Sequence, residues 1–274
     1  MIILNTISET KMQIQEWKRS GYSIGFVPTM GFLHEGHISL VNRSVAENDK
    51  TVVSIFVNPM QFGPNEDLEK YPRDFAADEA MCKEAKADLI FYPTPDEMYP
   101  KGFVSYIDMD NSPLTNALCG KSRPGHFRGV CTVVAKLFNI VAADSAYFGK
   151  KDAQQLAIIQ KMVQDLDINI NIIPCPTVRE PDGLAKSSRN SYLSPEERAA
   201  AVSVSRAIFE GERLIKGDTS LSDAKKAMTK IIEAEPLAKI DYVELIDLYQ
   251  DGSVLGAVAV FFGKTRLIDN FLTH

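Results

Sequence analysis

The stretch Ile24-Gly25-Phe26-Val27-Pro28-Thr29-Met30-Gly31-Phe32-Leu33-His34-Glu35-Gly36-His37 decides the fold. It opens as a short apolar run, is broken by proline and glycine, and passes into Ile38 to Ala46, where apolar residues recur at helical spacing. A strand that stops at a sharp turn and leads into a helix is the first half of a βαβ unit. The alternation continues along the chain. Thr51 to Val57 reads as a second strand, and both strands are expected to stop at a proline, Pro28 and Pro59. Leu89 to Tyr92, Ala146 to Phe148 and Ile170 to Ile173 read as further strands, with helices over Asp74 to Lys86, Val130 to Ala142 and Asp152 to Leu166. This order predicts an α/β fold built on a parallel sheet.

The texture changes near residue 175. Pro174, Pro176, Pro181, Asp182 and Gly183 crowd together and are followed by Lys186-Ser187-Ser188-Arg189-Asn190, which places a domain boundary between 1–175 and 176–274. Ser194-Pro195-Glu196-Glu197 combines an N-cap, a proline at the first helical position and an acid at the third, so a helix should run from there to Gly217. A second helix over Ser222 to Ala234 and two strand-like runs, Ile240 to Ile246 and Val254 to Phe262, make the second unit a small α+β domain.

With 274 residues, 45% hydrophobic and 24% charged, the chain is long enough for a substantial core and too apolar for disorder. The net charge of −6 argues against wholesale nucleic-acid binding but leaves room for a local phosphate site. Cys82, Cys119, Cys131 and Cys175 form no CxxC pair and no disulfide framework, which suits a reducing cytoplasm. The N-terminus lacks a signal-peptide pattern, and the apolar run from Val254 to Gly263 is about half a membrane span.

Chemistry-bearing residues cluster at strand ends. His34 and His37 lie three apart directly after the first strand, on one face of a helix N-terminus, where free N–H groups and the helix dipole favour an anion. Gly31 and Gly36 allow close backbone approach. The same pair also fits a solvent-facing turn or two ligands of a metal, although no cysteine or third histidine nearby completes a zinc set. Asn58 and Gln61 follow the second strand and bring two amides to the same edge of the sheet. From Asn111 to Ala143 there is no acidic residue, while Lys121, Arg123, His126, Arg128 and Lys136 are basic or titratable, which fits either an anion clamp or a solvated surface. Gly120 to Gly129 reads as a mobile loop. Lys150 and Lys151, with Gln154 and Gln155 close behind, open a helix whose dipole they oppose, a misfit that suggests charge neutralisation of a phosphoryl group. Lys186, Ser187, Ser188 and Arg189 repeat the theme in the inter-domain loop with two hydroxyls and two cations, which fits either an ordinary linker or a further element of a phosphate site.

In order and spacing these segments resemble the pantoate–beta-alanine ligase family of the nucleotidylyltransferase superfamily. The resemblance runs from Pro28-Thr29-Met30-Gly31 and the HxGH element His34-Glu35-Gly36-His37, through Arg123-Pro124-Gly125-His126-Phe127-Arg128-Gly129, to Ser187-Ser188-Arg189-Asn190. It implies a Rossmann-like N-terminal domain and a small C-terminal domain acting as a lid. It implies ATP-dependent condensation of pantoate with beta-alanine through a pantoyl adenylate, releasing pyrophosphate and AMP, with magnesium accompanying ATP. Met30, Gly31, Phe32, Leu33, His34, Glu35, Gly36 and His37 would line the ATP site, with His37 as proton donor. Gly149, Lys150, Lys151, Asp152, Val178 and Lys186 would hold the nucleotide, and Lys151, Arg189, Ser187 and Ser188 would stabilise the transferring and leaving phosphates. Gln61, Gln155 and Asn58 would hold pantoate, with Gln61 near beta-alanine, and Asp78 would contact magnesium. A cytoplasmic homodimer is the implied assembly. Lys186 and Lys150 depart from the family's usual methionine and glutamate, implying up to two extra positive charges. The rival readings are a nucleotidylyltransferase acting on a phosphorylated acceptor and a silent nucleotide-binding module.

Overall fold

The computed structural model describes residues 1–64, 66–109 and 112–273. Asn111, where the acid-free stretch begins, lies outside the described residues. A six-stranded sheet runs in the order β1 (Ile2–Leu4), β4 (Leu89–Phe91), β3 (Lys50–Ile55), β2 (Ile24–Thr29), β5 (Ser145–Gly149) and β6 (Asn171–Cys175), with every recorded pairing parallel. Strands β2 and β3 are buried on both faces, which explains their nearly continuous apolar runs. On one face α1 (Ile7–Arg19), α6 (His126–Val141) and α7 (Ala153–Asp165) bury Ile14, Trp17, Val134, Phe138, Leu156 and Ile159. On the other, α2 (Glu35–Glu47) and α3 (Phe75–Glu84) press Leu40, Val41 and Cys82 onto Val27, Val53 and Ile90. Each such large side chain contributes about 1.5–3 kcal/mol by leaving water. The short α4 (Pro95–Met98) and α5 (Leu118–Ser122) lie in the connection between β4 and α6.

The expectation that the first strand stops at Pro28 is overturned. β2 continues to Thr29, with Pro28 opposite Ser54 of β3. The carbonyl of Thr29 accepts the Phe56 N–H, so odd positions face β3 and Pro28 faces β5. The pairing of β5 with β2 is recorded only at Gly25 and Phe26, so the missing proline donor falls beyond it and costs no ladder bond. That divergence opens a crevice between β2 and β5. It is also the topological switch point, because the chain winds from β2 toward β3 on one side and returns at β5 on the other.

A second, antiparallel sheet contains β7 (Ala238–Ile246), β8 (Val254–Phe262) and β9 (Thr265–Thr273) in that order. The helix expected from Ser194 to Gly217 divides at Ala201 into α8 (Pro195–Ala200) and α9 (Val202–Lys216), followed by α10 (Leu221–Glu233). Val204, Ile208, Met228 and Ile232 of α9 and α10 pack on Val258, Val260, Phe262 and Leu267. A smaller cluster of Leu118, Ala153, Ala157, Leu248, Leu255 and Ala257 ties this layer to α5 and α7. Strands β1 and β9 and helix α1 went unforeseen. In β9 the buried position 269 holds an aspartate, which broke the apolar alternation that would have revealed it.

No helix among the described residues is long and apolar enough to cross a membrane. All four cysteines are free and buried.

Candidate functional site

The turn after β2 is held from both sides. Thr29 Oγ1 donates to the Ser54 carbonyl at 2.7 Å and accepts the Gly31 N–H at 3.2 Å. Gly31 has φ +81°, and a Cβ there would lie 2.9 Å from both Asp78 Oδ2 and Ile55 Cγ2, so only glycine fits without movement. Asp78, only 2% exposed on α3, accepts the N–H groups of Phe32 at 2.9 Å and Leu33 at 2.6 Å. Burial pushes its carboxyl up against the pull of these two donors. Both oxygens thus brace the turn, a structural role beyond the magnesium contact expected of Asp78. Among the described residues no cluster of three histidine, cysteine or acidic side chains is placed to hold a metal ion.

His34 is the N-cap of α2. Its Nδ1 accepts the Gly36 N–H at 3.1 Å, while Nδ1 of His37 accepts the His34 N–H at 3.3 Å. The two rings lie 4.0 Å apart with their planes 33° from parallel. Burial, with help from the charges of Lys151 and Lys186, lowers His34 to about 4, and burial, His34 and Lys151 push His37 far below its ordinary value. Both imidazoles are thus neutral near pH 7. With each Nδ1 acting as an acceptor, the hydrogen bonds assign the proton to Nε2 on both rings. The pair offers N–H donors without the desolvation cost of buried cations.

At the end of β3, Asn58 is 1% exposed and its hydrogen-bonding groups are engaged within the protein. Its Nδ2 donates to Gln61 Oε1 at 3.0 Å and to the Gly129 carbonyl at 3.1 Å, and its Oδ1 accepts from Tyr99 at 2.8 Å and from the Met60 N–H at 3.3 Å. Asn58 therefore orients Gln61, a positioning role that the sequence did not show. Gln61 Nε2 points at Met30 Sδ, 3.1 Å away.

The acid-free stretch splits. The segment Gly120 to Gly129, expected as a mobile loop, is largely helical: α5 runs to Ser122 and α6 already begins at His126. Arg123 clasps Glu66, with Nε 2.7 Å from Oε1, and donates to His126 Nε2 at 3.1 Å, while His126 Nδ1 donates to the Gln61 carbonyl at 2.9 Å. Arg128 instead lies over the Tyr106 ring and Lys136 over Phe103, away from this cluster.

Past β5, Gly149 leads into a 3₁₀ turn, Lys150–Asp152, where Lys151 Nζ lies 3.7 Å from Asp152. Lys150 is exposed, and Gln154 is consumed structurally by Leu114, Ala117 and Cys119, which leaves Gln155 on the cleft. From the loop after β6, Ser188 Oγ donates to the Phe32 carbonyl at 3.2 Å, and Ser187 Oγ caps the following turn through the Arg189 N–H at 3.3 Å. Arg189 grips Asp67 with two bonds of 3.0 and 3.1 Å. Burial pushes the Asp67 carboxyl up, but the guanidinium outweighs it and holds the group below its usual range. The Lys186 ammonium is paired with Glu35 and, at 3.2 Å, with Glu180, so the extra charge anticipated there is already compensated. The backbone of Lys186 is anchored on the Val178 carbonyl at 3.0 Å.

A cleft of about 1300 Å³ collects part of this set: it is lined by Arg123, Lys151, Gln155, Ser187 and Arg189 and closed opposite by Tyr242, Arg266 and Asn270 of the antiparallel sheet, while His34, His37 and Gln61 lie outside its lining. Glu66, Asp67, Tyr242, Arg266 and Asn270 were missed in the sequence, since only folding brings them to the cleft. The arrangement suits a polyanion: a braced helix N-terminus, two neutral imidazole donors, a lysine beside them and two arginines, each paired with a carboxylate.

The sequence matches the family model described as pantoate-beta-alanine ligase over residues 2–272. It is 56% identical to a pantothenate synthetase of Ruminiclostridium cellulolyticum over 276 residues, covering 98% of this chain and 97% of that one. The crystal structure of pantothenate synthetase from Thermus thermophilus superposes with a TM-score of 0.94 at 42% identity, covering 99% of both chains. A pantoate-beta-alanine ligase from Francisella tularensis, complexed with beta-gamma ATP and beta-alanine, matches with a TM-score of 0.85 at 37% identity, covering 99% of this chain and 97% of that one. With the site geometry in place and the match spanning nearly every residue, the chain belongs to the pantoate–beta-alanine ligase family.

Proposed function

We propose that this protein condenses pantoate with beta-alanine at the expense of ATP, forming pantothenate, AMP and pyrophosphate through a pantoyl adenylate. The observation that carries this reading is geometric: Ser188, in the loop after β6, donates to the Phe32 carbonyl in the turn after β2, and its neighbours Ser187 and Arg189 line one cleft with Lys151 at the end of β5. The two strand ends therefore form one site at the switch point. In the first step a pantoate carboxylate oxygen attacks the α-phosphorus of ATP, and the bond to the bridging oxygen of pyrophosphate breaks. His34 and His37 donate Nε2–H bonds to phosphate oxygens. Their neutrality suits His37 to hydrogen bonding rather than proton transfer, because the imidazolium is scarcely populated at pH 7.

Lys151 and Arg189 stabilise the negative charge that grows on the transferring and leaving groups, with Ser187 and Ser188 beside them. Arg189 exchanges Asp67 for phosphate when the nucleotide enters. Met30, Gly31, Phe32, Leu33, Glu35, Gly36, Gly149, Lys150, Asp152, Val178 and Lys186 form the walls and anchors of the nucleotide site, and Gln61 and Gln155 hold pantoate. In the second step the amine of beta-alanine attacks the acyl carbon of the adenylate and AMP leaves. Magnesium accompanying ATP would screen the charge on its phosphates, with Asp78 bracing the turn after β2 through its two backbone contacts.

Residues 176–274 act as a lid over 1–175, shielding the adenylate from water. Small-angle scattering that stays unchanged on adding ATP plus pantoate would count against closure. The enzyme works as a cytoplasmic homodimer. The decisive assay is exchange of labelled pyrophosphate into ATP with pantoate present and beta-alanine absent, followed by addition of the amine. Pantoate-dependent exchange, with AMP appearing only after beta-alanine, is the expected result. Its absence in folded, ATP-binding protein would transfer the assignment to another acceptor or to a non-catalytic module.

A further inference from the structure

Strand β9, unforeseen in the sequence, reaches the catalytic turn with one side chain. Asn270 Nδ2 donates to the carbonyls of Lys150 at 3.1 Å and Lys151 at 2.7 Å. Only the amide nitrogen can face two carbonyls, since the amide oxygen would meet acceptors, so the orientation is settled by chemistry. The turn it grips needs outside support. Two lysines oppose the dipole of α7, and neither Gly149 nor Asp152 makes a side-chain cap. Asn270 is itself fixed by its neighbour. Asp269, 2% exposed, accepts the Asn270 N–H at 2.8 Å and is clasped by Arg179 with bonds of 2.6 and 3.0 Å. Arg179 also donates to the Gly183 carbonyl at 3.0 Å, at the head of the loop that carries Ser187 and Arg189.

We propose that Asn270 is a positioning residue for Lys151, through which the antiparallel sheet sets the lysine's place beside the two histidines. Asp269 and Asn270 then align both cationic arms of the site from one strand: the Lys151 turn through Asn270, and the Arg189 loop through Asp269 and Arg179. The inference rests on the reading of Lys151 given above, and its test separates the two.

Pantoate-dependent pyrophosphate exchange is measured for wild type, Asn270→Ala, Asn270→Asp, Lys151→Ala and the double variant Lys151→Ala/Asn270→Ala. Asn270→Ala is expected to lower kcat by about tenfold to a hundredfold, the range for a misplaced catalytic group, with the KM for ATP moving by less than about threefold. Asn270→Asp keeps the volume but turns a donor into a carboxylate facing two carbonyls, so it should be impaired at least as much; a packing role alone would leave it near wild type. In the Lys151→Ala background, Asn270→Ala should add less than about twofold, because its only target is gone. Wild-type kcat in Asn270→Asp, or effects of Asn270→Ala that multiply fully with those of Lys151→Ala, would overturn the inference while leaving the function standing. Wild-type exchange in Lys151→Ala itself would overturn the assignment of Lys151, and this inference with it.

Discussion

Acidification tests the neutral imidazole pair most directly. His34 sits near 4 in the folded protein, against an ordinary histidine value of 6.5. The unfolded chain therefore takes up a proton at a pH where the folded one does not, and stability falls as pH drops through the interval between these values. Relative to pH 7.5, His34 alone costs about 2 kcal/mol at pH 5.0, from the 1.36 kcal/mol per unit that links a shifted titration to stability. His37 acts with the same sign. Urea unfolding at the two pH values, for wild type and His34→Gln, should show the variant losing roughly 2 kcal/mol less on acidification. Nitrogen-15 spectra of the four histidines provide the independent check. The signals of His34 and His37 should report the Nε2–H tautomer and should not titrate above pH 5. A midpoint near 6.5 for either residue, or an Nδ1–H tautomer, would refute the assignment of both as neutral donors.

Other consequences can be measured alongside. His37→Ala and Lys151→Ala should each slow adenylate formation by two orders of magnitude or more, read as the single-turnover rate of pyrophosphate release. Asp78→Ala strands the Phe32 and Leu33 N–H groups, so it should lower stability by about 1–3 kcal/mol in chemical denaturation and weaken ATP binding measured by calorimetry. Gly129→Ala presses a Cβ against the Met60 carbonyl and places it 2.6 Å from the Gln61 nitrogen. It should displace the Asn58–Gln61 turn and raise the KM for pantoate, and an unchanged KM would separate Gln61 from pantoate binding.

The alternation of apolar strands with amphipathic helices was enough to read the parallel sheet, because a strand buried on both faces must be apolar almost throughout and its crossover helix must carry an apolar stripe. The positions of His34 and His37 at a helix N-terminus, and of Lys151 at another, were legible for the same reason: caps, turns and strand ends are set by neighbours within a few residues. What those side chains do there depended on contacts far along the chain. Asp78, expected only as a magnesium contact, becomes a brace when α3 lies against the turn after β2. Asn58 reads as a strand-end amide and proves to be consumed by Tyr99, Gly129 and Gln61. Lys186 reads as surplus charge until Glu35 and Glu180 arrive beside it. β9 stayed hidden because Asp269 occupies a buried position that only the distant Arg179 makes tolerable. Local sequence thus determined the elements and the residues at their ends, through backbone propensity and periodicity. The tertiary structure alone decided which polar groups remain free for substrate, since pairing and burial are properties of partners that sequence spacing does not encode.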